Sequence, residues 1–388
     1  MKFKRIVAFA LVMVLSFGLF SGIKTEAKEI TLTVPKIKVK LSNDGTSVKI
    51  TIGKTKDADG YVICSTAEKN MYAGYEADIE EFQELVKIDK NGTKKRTITI
   101  KSLNPGKVKI AVKAYNEKKF GVLTYSELSK SKSVTIKDGS LGLSTKYDFS
   151  DKKVGDIIKF GTYEQDNDFT NGKEAIEWVV ISKTKSKMMV MSKHVLDTVR
   201  YYCGDVGNGS ERKEITWENS TLRNWLNEKF YNVAFNNTEK DMILTTDVEN
   251  YDDFLNGFNG GNDTKDKVFV LSELEAINSD YGFSDDYQEK DINRRAAGTE
   301  YAYARGLVKF STKDRDYITN EGEVATIWWL RNTCFLSEKL YPNYINARAI
   351  DAEGNLSTKY GSRVLNYWYD DIYKKIGVRP VIVINLKK

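Results

Sequence analysis

One histidine and three cysteines are all that the 388 residues contain of these two types. The first scarcity narrows hydrolytic chemistry. A nucleophile needs a neighbouring base, and in a Ser-His-Asp arrangement His194 would have to supply it. It closes the segment Met191-Ser-Lys-His194 after an apolar stretch, where a histidine serves equally well as an ordinary surface residue. The second scarcity gives zinc no ligand spacing. It also gives no dense disulfide framework, and leaves Cys203 and Cys334 as either one bridge or two buried thiols. Charge of one sign is lacking as well. Of 60 basic and 54 acidic residues, Lys2, Lys4, Arg5, Lys24 and Glu26 fall within residues 1–27, so the rest carries 56 and 53, a net +3. That balance, with no basic stripe, offers nucleic acid no footing.

Long apolar runs are absent except at residues 6–23. Lys2, Lys4 and Arg5 precede this run and Ala27 follows it, so residues 1–27 read as a cleavable signal peptide. Ser16, Gly18, Ser21 and Gly22 dilute its second half, against a retained span of ~20 residues. No cysteine follows to take a lipid, and residues 381–388 are too short to cross a bilayer. The expectation is a secreted or surface-associated chain without a membrane span once processed. The remaining length suffices to bury cores without covalent staples.

Residues 30–136 alternate apolar and polar side chains in short runs, the period of half-buried strands. Strands are expected near residues 30–42, 46–52, 61–65, 96–100, 108–115 and 133–136, with a helix at 78–86 inside the connection 67–92. Gly60-Tyr-Val-Ile63 and the turn-plus-strand from Leu103-Asn-Pro-Gly106 to Tyr115 resemble fibronectin type III domains. That resemblance implies a β-sandwich used as a spacer or adhesive module, with the 67–92 connection longer than usual. Residues 137–148, with Gly139, Ser140, Gly142 and Ser144, read as a linker.

Residues 149–388 change character. Strands are expected at 154–161, 176–181, 187–192, 325–331, 346–351 and 378–386. A helix is expected at 216–235, with Trp217, Leu222, Trp225, Leu226, Phe230 and Val233 on one face. Thr238 reads as the cap of a short helix at 238–243. Ser272 and Glu275 form a capping-box pair opening another at 272–278. Gly155-Asp-Ile-Ile-Lys-Phe-Gly161, Glu174-Ala-Ile-Glu-Trp178, Thr221-Leu-Arg-Asn-Trp-Leu-Asn227, Asp266 to Ser272, Trp328-Trp-Leu-Arg331 and Val378-Arg-Pro-Val381 resemble, in that order, domain of unknown function 6273, common in exported proteins of anaerobic Gram-positive bacteria. The Trp-Leu-Arg and Val-Arg-Pro strands are also similar to those of the C-type-lectin-like and formylglycine-generating-enzyme folds. These likenesses imply a mixed α+β domain with a small antiparallel sheet. The two close cysteines of the copper-binding branch of the latter fold have no counterpart here.

Several constellations stand as candidate sites. Asp252, Asp253, Asn259, Asn262, Asp263 and Asp266 crowd a glycine-containing stretch with the hard oxygen ligands that calcium prefers, though solvated turns have the same composition. Glu174, Glu177, Asp351 and Glu353 are nameable as a glycosidase pair, which needs two carboxylates ~5–9 Å apart. Glu177 more simply points outward from its strand. Trp328, Trp329, Arg331 and Arg379 read as core residues and structural cations. Tyr360, Tyr367, Trp368 and Tyr369, with Asp370 and Asp371, gather aromatic rings and hydrogen-bonding groups in a stretch without strand alternation. Such a surface suits a sugar or peptide ligand. The leading expectation is a recognition protein for an extracellular glycan or protein, without catalysis. The alternatives are a glycan hydrolase and a structural or adhesive component.

Overall fold

Alternation in the N-terminal region becomes strand wherever a neighbouring strand is available to pair. The structure, a computed structural model, describes residues 31–66, 82–89, 96–117, 122–137, 147–204, 214–252, 259–310, 317–335, 345–356 and 375–387. The first strands are β1 (Ile37–Leu41), β2 (Val48–Ile52), β3 (Gly60–Thr66), β4 (Phe82–Ile88), β5 (Thr97–Ile100), β6 (Gly106–Glu117), β7 (Leu123–Tyr125) and β8 (Lys132–Ile136). They form two antiparallel sheets, one ordered β1-β2-β5 and one ordered β4-β3-β6, with both β7 and β8 on the far edge of β6. Val48, Ile50 and Ile52 are buried while Lys49 and Thr51 face out. On β6, Val108, Ile110, Val112 and Ala114 are buried in the same period. Gly60 opens β3 because a Cβ there would meet the Ile88 carbonyl oxygen at 2.1 Å.

The helix expected at 78–86 is a correction. From Phe82 onward the chain is β4, paired antiparallel with β3 from Thr66↔Phe82 to Tyr61↔Ile88. The backbone of β3 offers a complete ladder on that side. Phe82, Val86 and Ile88 pack as well in a strand as in a helix, so the partner decides.

The C-terminal region adds β9 (Ile157–Tyr163), β10 (Glu174–Lys183), β11 (Lys187–Ser192), β12 (Asp197–Arg200), β13 (Thr246–Val248), β14 (Thr264–Asp266), β15 (Val268–Phe269), β16 (Trp328–Phe335), β17 (Ile345–Ile350), β18 (Lys375–Val378) and β19 (Val381–Asn385). Rather than one small sheet, there is a five-stranded sheet, β15-β19-β11-β10-β9, a four-stranded sheet, β12-β18-β16-β17, and the pair β13-β14. Pairing is antiparallel except between β16 and β18, which run parallel at Trp328↔Gly377. The run expected as one strand at 378–386 is divided at Arg379-Pro380 between the two larger sheets. Proline has no amide hydrogen to continue a ladder, and the Pro380 carbonyl instead accepts from Ser192 N–H at 2.9 Å.

The helix expected at 216–235 begins at Thr221, after a Ser220 cap. It runs through α1 (Thr221–Asn224), a π-helical stretch Trp225–Phe230 and α2 (Tyr231–Ala234). Its apolar face is the expected one, with Leu222, Trp225, Leu226 and Phe230 buried. α3 (Asn237–Met242) is capped by Asn236 rather than Thr238, because Glu239 lies three residues on and closes a capping box with it. α4 (Glu273–Ala276) carries the expected Ser272–Glu275 box, and α5 (Glu300–Ala304) is capped by Thr299. Among the described residues no helix is long and apolar enough to cross a membrane.

Trp328 and Trp329 are fully buried, donating from their indole nitrogens to the carbonyls of Arg294 and Val199 at 3.0 and 2.7 Å. Arg331 and Arg379 are structural cations. Arg331 binds the Val270 and Glu249 carbonyls and Glu275, and Arg379 donates to the Ser192 carbonyl at 2.8 Å and lies over the Trp328 ring. The sheets on both sides of residues 137–148 belong to one compact unit, Leu32–Lys388. Backbone bonds from Lys101 and Ser102 to the Phe169 carbonyl, at 2.7 and 3.3 Å, join the two regions.

Candidate functional site

That junction is built on the end of β9. Opposite Ile176 the strand carries an extra residue, so that Ala175 pairs with Thr162 but Glu177 with Lys159. Gly161 supplies the left-handed φ of 72° inside this bulge, where a Cβ would strike the Ala234 carbonyl at 2.7 Å. The bulge turns the following residue pairs, placing Tyr163 at one end of a cleft of about 430 Å³ between the regions.

The polar centre of the cleft is Asp197, 1% exposed at the start of β12. Its carboxylate accepts from the Tyr163 hydroxyl at 2.7 Å and from Arg305 Nε at 2.7 Å. Burial first, then the Asp197 charge, holds the Tyr163 hydroxyl well above its usual range, so it remains a donor. Asp197 likewise raises Arg305, whose guanidinium stays charged and lies 5.4 Å over the Tyr301 ring. None of the hydrogen bonds among the described residues uses the two terminal amino groups of Arg305. Trp225, Phe169 and Tyr301 provide aromatic wall, and Lys229 adds a second cation to the lining. A buried carboxylate that fixes an arginine by Nε leaves the rest of its planar fork aimed, which is how carboxylates and other planar anions are recognised.

The residues singled out in the sequence are dispersed. Tyr360, Tyr367, Trp368, Tyr369, Asp370 and Asp371 lie outside the described residues, as do Asp253 and residues 1–30. His194 Nε2 is 3.0 Å from Glu323, and the Ser192 hydroxyl donates to the His194 carbonyl, not to its ring. Asp252 accepts from Gly260 N–H, Asn259 from Gly261 N–H and Asp263 from Asn250 N–H, while the Asn262 amide donates to Glu218. Asp266 is a correction. It is 1% exposed and turned into the core, accepting from Arg223 Nε at 2.7 Å, Trp217 Nε1 at 3.0 Å and the Thr264 hydroxyl at 2.7 Å. Its carboxylate holds the helix to β14 and is spent there.

Glu177 sits outward on β10, 3.6 Å from both Lys159 and Lys193. Asp351, whose carboxyl burial holds above its usual pKa, caps its own turn by accepting from Glu353 and Asn355 N–H, and Glu353 pairs with Lys290. Asp351 and Glu353 share the Asn355 amide, while Glu174 meets two further carboxylates. One of its oxygens, one of Glu164 and one of Asp166 lie within 4.8 Å of one another, the one such trio of potential metal ligands among the described residues. Sequence reasoning passed over Glu164 and Asp166. Their signal is modest: two acids at alternate positions directly after a strand, facing a third where the next strand begins.

The sequence model of a family described as a domain of unknown function (DUF6273) matches residues 185–386, just over half of the chain. The match begins after β10, so β9, β10 and the turn between them precede it. No curated protein and no solved structure matches.

Proposed function

The chain belongs to that family, and since the family's description assigns no activity, we propose a function from the cleft: an extracellular binding protein that recognises an acidic glycan, or an acidic peptide, without chemical turnover. The observation that carries this reading is Arg305, fixed through Nε by Asp197, whose other carboxylate oxygen is held by the Tyr163 hydroxyl, beside the aromatic walls of the cleft. Arginine engages a ligand carboxylate, the aromatic lining of Phe169, Tyr301 and Trp225 borders the ligand's apolar side, and Lys229 adds attraction. Concave sites with a few convergent polar groups and aromatic lining are where proteins take small ligands. The N-terminal region serves in this reading as a fibronectin type III-like spacer that also supplies one wall, and its sheet orders, β1-β2-β5 and β4-β3-β6-β8, support that use. The C-terminal region serves as the lectin-like part, and the signal-like residues 1–27 support action outside the cell.

A glycan array probed with residues 28–388 tests the proposal. Retention of uronic-acid-bearing glycans, weakened at least ~10-fold by Arg305→Ala and less by Arg305→Lys, is the expected result, since a good charged contact contributes on that scale. Trp368→Ala in the same array separates the cleft from the aromatic segment at residues 360–373. Capture that survives Arg305→Ala but is lost in Trp368→Ala moves the binding face away from the cleft. Release of reducing ends from any retained glycan replaces binding by hydrolysis.

A further inference from the structure

The turn between β9 and β10 carries a second feature, separate from the arginine. Glu164 is 4% exposed, yet among the described residues neither of its carboxylate oxygens has a hydrogen bond of good geometry. A buried carboxylate without partners is costly, and proteins resolve it by protonation, pairing or a metal. The leading charges acting on Glu164 are Glu174 and Asp166, both of its own sign. Beside it the Ser102 hydroxyl, 3% exposed, likewise has no hydrogen bond of good geometry among the described residues. Two unsatisfied oxygen-bearing groups from different regions of the chain therefore meet at one place.

We propose that Glu164, Asp166 and Glu174 hold a hard divalent cation, calcium before magnesium, which fastens the β9–β10 turn against Ser102 and stiffens the junction that walls the cleft. Oxygens at ~2.4 Å from a calcium ion stand at most ~4.8 Å apart, and the three carboxylates meet that limit without movement. The smaller, strictly octahedral magnesium asks for a tighter set. The donor set is oxygen alone, which suits neither zinc nor copper. The turn is already shaped around its acids. Asp166 accepts from Asp168 N–H at 2.8 Å and from the Asn171 amide at 2.6 Å, and Glu174 accepts from Gln165 N–H at 2.7 Å. Each keeps lone pairs for a cation, while Glu164 has spent none. The bound ion would act on the ligand site through position, because Asn167 and Phe169 of this turn line the cleft.

The test uses the chelator-treated chain, residues 28–388, and the metals alone. Calorimetry with calcium should show a single site, and the thermal midpoint should rise by ~3–6 °C at calcium about tenfold above its dissociation constant. Glu164→Gln, which keeps the shape and removes the charge, should melt at or above the metal-free wild type and bind calcium more than ~10-fold more weakly. Glu174→Gln, which retains an acceptor for Gln165, repeats the measurement should the first variant fold poorly. Absence of heat and of a thermal shift with calcium, magnesium and manganese at millimolar concentration overturns the proposal. So does a calcium response left intact in both Glu164→Gln and Asp166→Asn, which assigns the ion elsewhere, such as residues 252–266. Neither result bears on Arg305, whose ligand is read by the glycan array.

Discussion

The two regions of this molecule bury different things. Among the described residues, the polar side chains buried in the N-terminal sheets are hydroxyls: Thr55, Ser65, Ser102, Ser126 and Ser129. Around them pack Val, Ile, Ala and Tyr, alternating with exposed residues on β2 and buried in succession on β3. The C-terminal region buries Arg294, Arg331, Arg348 and Arg379, with Asp197, Glu239, Asp266, Glu273 and Asp291, among the rings of Trp178, Trp217, Trp328 and Trp329. Arg294 shows why. It is fully buried and donates to the carbonyls of Ala276, Ser284, Asp286 and Glu289, so one side chain organises a long irregular connection that no ladder could satisfy. Where the backbone satisfies itself in sheets, an aliphatic core suffices. Where loops enter the interior, cations must follow to bind their carbonyls.

That contrast predicts how each region fails. The largest effect is expected at the Arg348–Glu273 pair, 3.2 Å apart with both side chains essentially inaccessible. Arg348→Met removes the cation beside a fully buried carboxylate, at a cost of about 3–5 kcal/mol. All six tryptophans lie beyond residue 177, so urea unfolding followed by tryptophan fluorescence reads this region selectively. A loss below ~1 kcal/mol would erase the distinction drawn between the cores. Next in size is Ser272→Ala, which removes the acceptor for Glu275 N–H at 3.0 Å and should cost about 0.5–2 kcal/mol by the same fluorescence assay.

In the aliphatic region a conservative change should be mild. Ile50→Val is expected to cost about 0.5–1.5 kcal/mol, seen as faster hydrogen exchange in β2 with the tryptophan transition unmoved. A shift of both together would show that the junction couples the cores more tightly than their contents suggest. The smallest effect concerns Cys64, an unbridged thiol on β3 that burial pushes up to about 11. The neutral thiol is the favoured form in the folded chain, so its thiolate emerges only as pH approaches that value. Native protein should leave Cys64 unalkylated at pH 8, and unfolded protein should not. Rapid native labelling would mean that the outer face of β3 opens readily.

The same contrast explains which readings of the sequence succeeded. The period-two run Val48–Ile52 appears as a strand that buries one face, and the apolar run Lys187–Ser192 as a central strand buried almost throughout. The Ser272–Glu275 box is local chemistry and needs no distant partner. At Asn236 and Thr238 two cap-type residues compete, and the reciprocal Glu239 selects the first. The misassigned helix at 78–86 failed because helical and strand spacing coincide for a few apolar residues, and the exposed ladder of β3 settled the outcome. Asp266 read as an exposed ligand by composition, yet Arg223 and Trp217 draw it inside from 43 and 49 residues away in sequence.

By itself the sequence determined the strand-rich character, the apolar faces, the local caps and membership in a family of unknown function, because each is written in neighbouring residues. Only the tertiary structure decided that Tyr163, Asp197 and Arg305 share a cleft and that Glu164, Asp166 and Glu174 converge beside Ser102. Those groups come from separate turns and strands, and their meeting depends on a bulge at Gly161 and a backbone junction at Phe169. Burial, which changes what a carboxylate or an arginine can do, is a property of that assembled surface and has no local spelling.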